Sequence, residues 1–598
     1  MSVLLAESRH VLDVSRSLSG RAWRARLAHD RDALAICQRH GLPDLLGRVL
    51  AARAVPLDQV AGYLNPTLRA LMPDPDVLAD MEAGVDRLAR AIVANERIAI
   101  IGDYDVDGMA SSALLALYLQ AAGATPLIHI PDRIVEGYGP GTGAISALKD
   151  QGASLIVTLD CGTAAHEALA HAAALGLDAV IVDHHPAGED LPRAIAVINP
   201  NRQDDVSGLG YLAAAGVTMM LLAGLNRRLR QQGFWGVKPE PDLLHHLDLV
   251  ALATVCDVVP LIKLNRAFVI QGLKVMAERR RPGLAALCDV ARLTRKPDVH
   301  VLGFVLGPRL NAAGRIDDAK VGLELLMTRD RGRAQSLAQQ LEQLNRERQK
   351  IELAVVDAAQ DQAAAALARS PDLPLLLVAG ENWHPGILGL VAARLKERFG
   401  LPALALGLDP GGAVASGSGR SVAGVDLGCA VRAAADAGVI VKGGGHAMAA
   451  GLTVERARFD DLQAFLAEAL SAAGPGTGQS MLDLDGSLSA SGATLDLLAL
   501  IERAGPYGSG NPEPVFALPA HRIVYADPAG SDHVRCTIAA GDGTRLKAIA
   551  FRAMGTALGE ALLSERTAPL HLAGRLSLDD WNGRRAVQLF IDDAAEVR

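Results

Sequence analysis

A chain of 598 residues is too long for a single hydrophobic core, and its length predicts roughly three to five domains. Half of its residues are apolar and 21% are charged, the make-up of an ordinary globular protein with large cores. The net charge of −8 excludes recognition of nucleic acid through bulk positive charge, so any such partner must meet a local basic groove. The six cysteines (Cys37, Cys161, Cys256, Cys288, Cys429 and Cys536) show no CxxC spacing, which disfavours a zinc or disulfide scaffold and suits a reducing cytosol.

The first twenty residues hold Glu7, Arg9, His10, Asp13 and Arg16 and lack the apolar core of a signal peptide. Residues 1–75 read as a helical lead-in broken by Pro56, Pro66, Pro73 and Pro75. Over 76–300 strands at 98–101, 155–159, 179–182 and 196–198 alternate with helices at 110–122 and 164–175. Short connections between them predict a doubly wound parallel sheet, an α/β fold. The apolar run 209–225 reads as a buried helix, short for a membrane span. A second apolar helix over 243–256 ends at Asp257.

Residues 301–370 form a connecting segment with a long polar helix, its Leu337, Leu341, Leu344, Ile351 and Val355 at helical spacing. A second α/β domain is expected over 371–473, with a strand at 375–378 and glycine-rich turns at 411–419 and 443–445. After the glycine-rich linker 474–478, residues 479–598 predict a small β-barrel of OB type, with strands at 534–539, 546–551, 570–576 and 586–591.

Three of the predicted strands run into acidic or imidazole side chains. Asp103-Tyr104-Asp105-Val106-Asp107-Gly108 follows the first, Asp160 the second and Asp183-His184-His185 the third. Doubly wound sheets bind ligands beyond the carboxyl ends of their strands. Taken singly, Asp160 and Asp257 are ordinary turn residues, and one of the two histidines is a hydrogen-bonded structural ring. Together, carboxylates with imidazole hold two divalent ions, whose charge offsets the cluster and activates water. A calcium-binding EF-hand is excluded by Leu114, which stands where that loop needs Glu, and by the strand-like run before it. An oxygen-rich set with imidazole suits manganese or magnesium better than zinc.

Those three segments, together with Asp257, resemble the four phosphoesterase motifs of the DHH superfamily. Pro308–Arg315 (PRLNAAGR), Trp383–Ile387 (WHPGI), Gly417–Ser421 (GSGRS) and Gly443–Gly451 (GGGHAMAAG) resemble, in the expected order, the RecJ family of bacterial single-strand-specific exonucleases and its DHH-associated nucleic-acid-binding domain. The resemblance spans roughly residues 75–598. It implies a catalytic set of Asp103, Asp105, Asp107, Asp160, Asp183, His184, His185 and Asp257, in which Asp103, Asp105, Asp160, His184 and Asp257 ligate two Mn2+ or Mg2+ ions. It further implies that Arg133, Arg309, Asn311, Arg315, Ser418, Arg420 and His446 bind substrate, with Ser418 and Arg420 at a pocket for the 5′ end. Arginine suits that role because its planar fork donates two hydrogen bonds to one anion.

The implied activity is metal-dependent 5′→3′ hydrolysis of single-stranded DNA by two-metal-activated water, in cytoplasmic DNA repair and recombination. Single-stranded DNA is the expected partner, with a single-strand-binding protein and a helicase as candidate protein partners and no membrane. The alternatives are a DHH phosphodiesterase for short oligonucleotides or cyclic dinucleotides, and a noncatalytic replication scaffold. Ile101, where a family II pyrophosphatase carries a metal-binding histidine, argues against pyrophosphate. Aromatic residues make up 3% of the chain, so Tyr138, Trp383, Tyr507 and Trp581 are the candidate base stackers and phosphates the main handle.

Overall fold

The structure, a computed structural model, describes residues 10–133, 135–236, 238–409, 411–472, 480–564, 568–581 and 584–597. The chain forms two units. One comprises Pro73–Asp257 with Gln271–Thr477, the other Met1–Met72 with Val258–Ile270 and Gly478–Arg598. The linker 474–478 lies outside the described residues.

In the first unit a five-stranded parallel sheet has the order Leu127–His129, Ile98–Gly102, Leu155–Leu159, Asp178–Val182, Ala196–Ile198. Ile98–Gly102 and Leu155–Leu159 are buried at every residue, as central strands covered on both faces must be. From Ile98–Gly102 the chain moves outward to Leu127–His129 and then returns to the other side at Leu155–Leu159. The crevice beyond these strand ends is therefore the topological switch point of the doubly wound sheet. Helix Val106–Ala122 starts there and is buried at all positions but Gln120 and Ala121. It packs on helices Ala214–Gln231 and Leu247–Cys256. Among the described residues no helix is long and apolar enough to cross a membrane.

The connecting segment holds a π-helix, Val301–Leu306, that runs into helix Gly307–Ile316, and then the 39-residue helix Arg331–Arg369, capped by the Asp330 side chain. The second sheet of this unit has the order Lys442–His446, Ala449–Glu455, Val414–Arg420, Ala403–Leu408, Leu376–Glu381. Two expectations fail here. Both glycine-rich stretches contribute strands rather than turns, because their glycines make room for packed side chains. A Cβ on Gly417 would meet Leu406 Cδ2 at 2.3 Å, one on Gly419 would meet Leu427 Cδ2 at 2.6 Å, and one on Gly443 would meet Ile440 Cδ1 at 2.6 Å.

In the second unit strands Phe516–Ala529, His533–Ala539, Arg545–Ala550, Arg584–Glu596 and Leu570–Trp581 close into a five-stranded barrel. Phe516–Ala529 pairs with both His533–Ala539 and Leu570–Trp581, and Arg545–Ala550 pairs in parallel with Arg584–Glu596. Phe516–Ala529 was absent from the expected strands: Pro519 and Pro528 interrupt its pattern, and it bends at irregularities near Leu518/His521 and Ile523/Tyr525. The N-terminal segment is not helical throughout. Strand Ala22–Ala25 pairs in parallel with Met481–Leu484, while Ile36, Leu46, Val49 and Leu50 of the following helices join the barrel core.

Helix Val106–Ala122 approaches the strand end so closely that a Cβ on Gly108 would lie 2.5 Å from both the Asp103 nitrogen and oxygen. Gly108→Ala should therefore cost about 1–3 kcal/mol through overpacking. A denaturant midpoint unchanged from wild type would show that the acidic loop moves aside freely.

Candidate metal centre

The acidic loop is built by capping. Asp105 is the N-cap of helix Val106–Ala122, its Oδ1 accepting from the amides of Asp107 (2.8 Å) and Gly108 (3.1 Å). The buried Asp107 carboxylate accepts from Ala214 N (2.7 Å) and Ala215 N (2.8 Å), so it also holds the start of helix Ala214–Gln231. Asp160 sits at φ 63°, a left-handed conformation uncommon for a residue with a side chain. Its amide donates to Val182 O at 3.0 Å, and Tyr138 Oη donates to its carbonyl at 3.0 Å.

Asp183 acts through its neighbours. Its Oδ1 accepts from His184 N (2.8 Å), His185 N (3.2 Å) and His185 Nδ1 (2.8 Å), and its Oδ2 from Thr163 N (3.0 Å). A carboxylate so engaged orients the His185 imidazole and the backbone of His184 rather than offering itself to an ion. Asn199 Nδ2 donates to His185 O at 2.8 Å and to Thr163 Oγ1 at 2.9 Å, fixing the backbone of the motif. Sequence reasoning missed Asn199, since an asparagine after a strand reads as a turn residue.

His184 Nε2 is the centre of the cluster. It lies 3.3 Å from Asp160 Oδ1, 3.5 Å from Asp257 Oδ2 and 3.8 Å from Asp107 Oδ2. Three groups have ligand atoms within 4.8 Å of one another: Asp103, Asp105 and Asp160; Asp107, His184 and Asp257; Asp160, His184 and His185. Asp103 Oδ1, Asp160 Oδ1, His184 Nε2 and Asp257 Oδ2 are buried, and no hydrogen bond reaches them from any described residue. Buried polar atoms normally find a partner, and converging acceptors fit a cation.

The electrostatics agree. Burial, reinforced by the Asp105 charge, pushes Asp103 up to about 8 and Asp107 up to about 7. Burial and then the charges of Asp107 and Asp105 push Asp257 up to about 9, and burial with Asp107 raises Asp160 well above the carboxylate range. A bound cation would displace those protons. Burial, then the neighbouring His185, pulls His184 down to about 4 and keeps it in the neutral, metal-binding form. His185 goes the other way, to about 9: burial opposes its charge, but the hydrogen bond and charge of Asp183 outweigh it.

Beside the carboxylates lies a cationic cluster. The Arg133 guanidinium sits 5.0 Å from the centroid of the Tyr104 ring. Arg315 Nη1 donates to Gly386 O at 2.9 Å, and burial, then the charges of Arg133, Arg348 and Arg420, lowers its pKa to about 10. Burial and then Arg133 lower Arg420 too, and Arg420 Nη1 donates to Ser418 Oγ at 3.3 Å. A Cβ on Gly389 would lie 2.8 Å from Arg420 Nη2 and 3.1 Å from Ser418 Oγ, so a bare helix face seats this pair. Helix Pro385–Phe399 begins beside them, capped by His384, whose Nδ1 accepts from Gly386 N at 3.2 Å. Guanidiniums gathered beside a helix N-terminus are an arrangement that favours an anion. His384 lies in the Trp383–Ile387 motif but is not among the residues expected at the site. The signal was its place before Pro385 and an apolar run.

Other expected site residues stand elsewhere. Arg309 Nε donates to Glu342 (2.7 Å) and its Nη1 to Val305 O (2.7 Å), which ties its helix to Arg331–Arg369. Asn311 Oδ1 accepts from Val106 N at 3.1 Å and so props the acidic loop. His446 is exposed in the edge strand Lys442–His446. Of the expected stackers, Trp383 is buried in an apolar core and Tyr507 Oη donates to Ile501 O, so both serve packing. Tyr138 meets His185 edge-on, with ring centroids 5.6 Å apart. The Trp581 side chain lies outside the described residues.

Comparison with known proteins gives three family matches: the DHH family N-terminal domain at residues 97–254, the DHHA1 domain at 372–472 and the RecJ OB domain at 484–593. The chain is 38% identical over 566 residues to the single-stranded-DNA-specific exonuclease RecJ of Dickeya dadantii, covering 92% of this chain and 96% of that one. Two crystal structures of RecJ from Thermus thermophilus are similar over 95% of this chain. The complex with Mn2+ has a TM-score of 0.79 at 26% identity over 78% of its own length, and the complex with Mg2+ has 0.73 at 25% over 77%.

Since Asp183 holds both histidines, Asp183→Asn should weaken Mn2+ binding roughly 10–100-fold while the protein stays folded. Calorimetric titration of the purified variant with Mn2+ measures this, and wild-type affinity would deny Asp183 its orienting role.

Proposed function

The chain belongs to the RecJ family, and from that footing we propose that it hydrolyses phosphodiester bonds of single-stranded DNA in the 5′→3′ direction. The observation that carries this reading is the set of orphaned buried acceptors around His184 Nε2, next to the cluster of Arg133, Arg315 and Arg420. Asp103, Asp105, Asp160, His184 and Asp257 would hold the ions, with Asp107 and Asp183 positioning them through the helix start and the imidazoles. Two divalent ions, when bound there, supply activation of water and stabilisation of the charge that develops on the phosphoryl oxygens.

The chain's own part is to hold the substrate. Arg133, Arg315, Arg420 and Ser418 would grip a terminal phosphate with charge-assisted hydrogen bonds, the start of helix Pro385–Phe399 adding its dipole. A strand anchored by its 5′ phosphate presents its first diester bonds to the carboxylates, which supports the 5′→3′ direction. The five-stranded barrel is of a class that binds oligonucleotides, and this favours a long strand over a dinucleotide. A cytoplasmic role in repair and recombination follows, where a helicase and a single-strand-binding protein would supply the single strand.

A 5′-phosphorylated single strand labelled at its 3′ end should give a ladder of shortened labelled products with Mn2+. The matching duplex should resist, and Asp160→Ala should bind DNA without cleaving it. Release of the 3′-terminal label in the first turnover, with no shortened labelled products, would reverse the polarity, and turnover by Asp160→Ala would sink the site. Arg420→Ala should reduce the preference for a 5′ phosphate over a 5′ hydroxyl by roughly 10–100-fold, read as the ratio of kcat/KM on the two strands.

A further inference from the structure

The π-helix Val301–Leu306 carries an exposed aromatic side chain that the exonuclease reading leaves without a task. Phe304 is 73% exposed, and its ring stacks on that of His300, with centroids 4.9 Å apart and planes inclined by 23°. Single exposed apolar side chains are common, but this one belongs to the one face-to-face stacked ring pair among the described residues, in a chain with 3% aromatics. Short π-helical turns also gather at functional sites.

The pair adjoins the metal centre. Phe304 lines a cleft of about 640 Å³ together with Cys256, Asn311, Arg315 and Leu353. Cys256 immediately precedes Asp257 and bonds to Leu302 O of the π-helix at 3.4 Å, while Asn311 props the acidic loop. Leu353 is 64% exposed, so a second apolar surface lines the cleft. Two of the arginines on its wall are neutralised locally, Arg348 by Glu352 (2.7 Å) and Arg394 by Glu397 (3.2 Å). Apart from Arg315, which belongs to the cationic cluster, the wall carries an exposed ring and internally paired charges, and so suits the flat face of a base more than a phosphate.

We infer that Phe304, backed by His300, is the platform on which a nucleobase of the single strand stacks as the strand enters the metal centre. The inference rests on the exonuclease reading and adds the contact that holds a base rather than a phosphate. Stacking on an aromatic ring tolerates any base, so grip without sequence preference follows.

The test uses the full chain with Mn2+ and single strands carrying one abasic residue, stepped along from the 5′ end. Phe304→Ala should raise KM and Kd for the intact strand about tenfold. Phe304→Leu should do the same, and Phe304→Tyr should restore both. At one position the abasic residue should weaken binding to wild type and cost Phe304→Ala nothing more. Additive losses at every position, or rescue by Leu, would overturn the inference, because either would make the side chain an apolar filler. If wild type binds the strand without degrading it, the exonuclease reading falls. The abasic scan of binding still decides the stacking contact.

Discussion

Most of the first unit is arranged around the cost of gathering carboxylates away from water. Buried charges of one sign repel and are poorly solvated, so Asp103, Asp107, Asp160 and Asp257 are all pushed above the ordinary carboxylate range. The fold meets that cost locally. Asp105 and Asp107 each satisfy helix-start amides, which turns the two carboxylates into caps that the helices themselves need. Asp160 is held at φ 63° by the sheet edge on one side and Tyr138 on the other. What remains unsatisfied is a small set of converging oxygen atoms and one imidazole nitrogen. Those atoms define where a cation belongs.

The cationic cluster follows the opposite logic. Burial and then the charge of Arg133 lower the basicity of both Arg315 and Arg420, and the groups on this side are donors. Neither cluster neutralises the other, although both belong to the same unit. Had the guanidiniums paired directly with the carboxylates, both sites would have been spent on structure, as Arg309 is spent on Glu342. Keeping the two charge sets apart leaves each able to take up a ligand of opposite sign. A metal ion and a phosphate are the two ligands that hydrolysis of a phosphodiester brings together.

The parallel sheet and its acidic strand ends were legible because central strands of such a sheet must be continuously apolar and their ends must carry the ligands. The 98–101, 155–159 and 179–182 runs satisfied both conditions, and the four motifs then gave the carboxylates and His184. Less could be read where a residue type serves two purposes. Glycines at 417, 419 and 443 suggested turns, yet they lie in strands that admit leucine and isoleucine side chains. Arg309 and Asn311 belong to one motif with Arg315, but only the three-dimensional contacts separate a tie to Glu342 and a prop for Val106 from a side chain in the cationic cluster. Phe516–Ala529 was hidden by its two prolines, and the strand Ala22–Ala25 by a partner more than 450 residues away, Met481–Leu484.

The distance between the two charge clusters is set by backbone contacts that tolerate no side chain. A Cβ on Gly314 would come within 2.7 Å of Tyr104 O, which locks helix Gly307–Ile316 against the acidic loop. One on Gly386 would come within 2.2 Å of Arg315 O, which locks the start of helix Pro385–Phe399 against the same helix. The chain of contact therefore runs from the carboxylates through Gly307–Ile316 to the helix start that neighbours Ser418 and Arg420. The first two links are backbone to backbone, so the placement of both helix starts against the acidic loop does not shift with rotamer changes. Glycine at these two positions thus fixes the acidic loop and the start of helix Pro385–Phe399 against one intervening helix, although neither residue offers a side chain to a ligand.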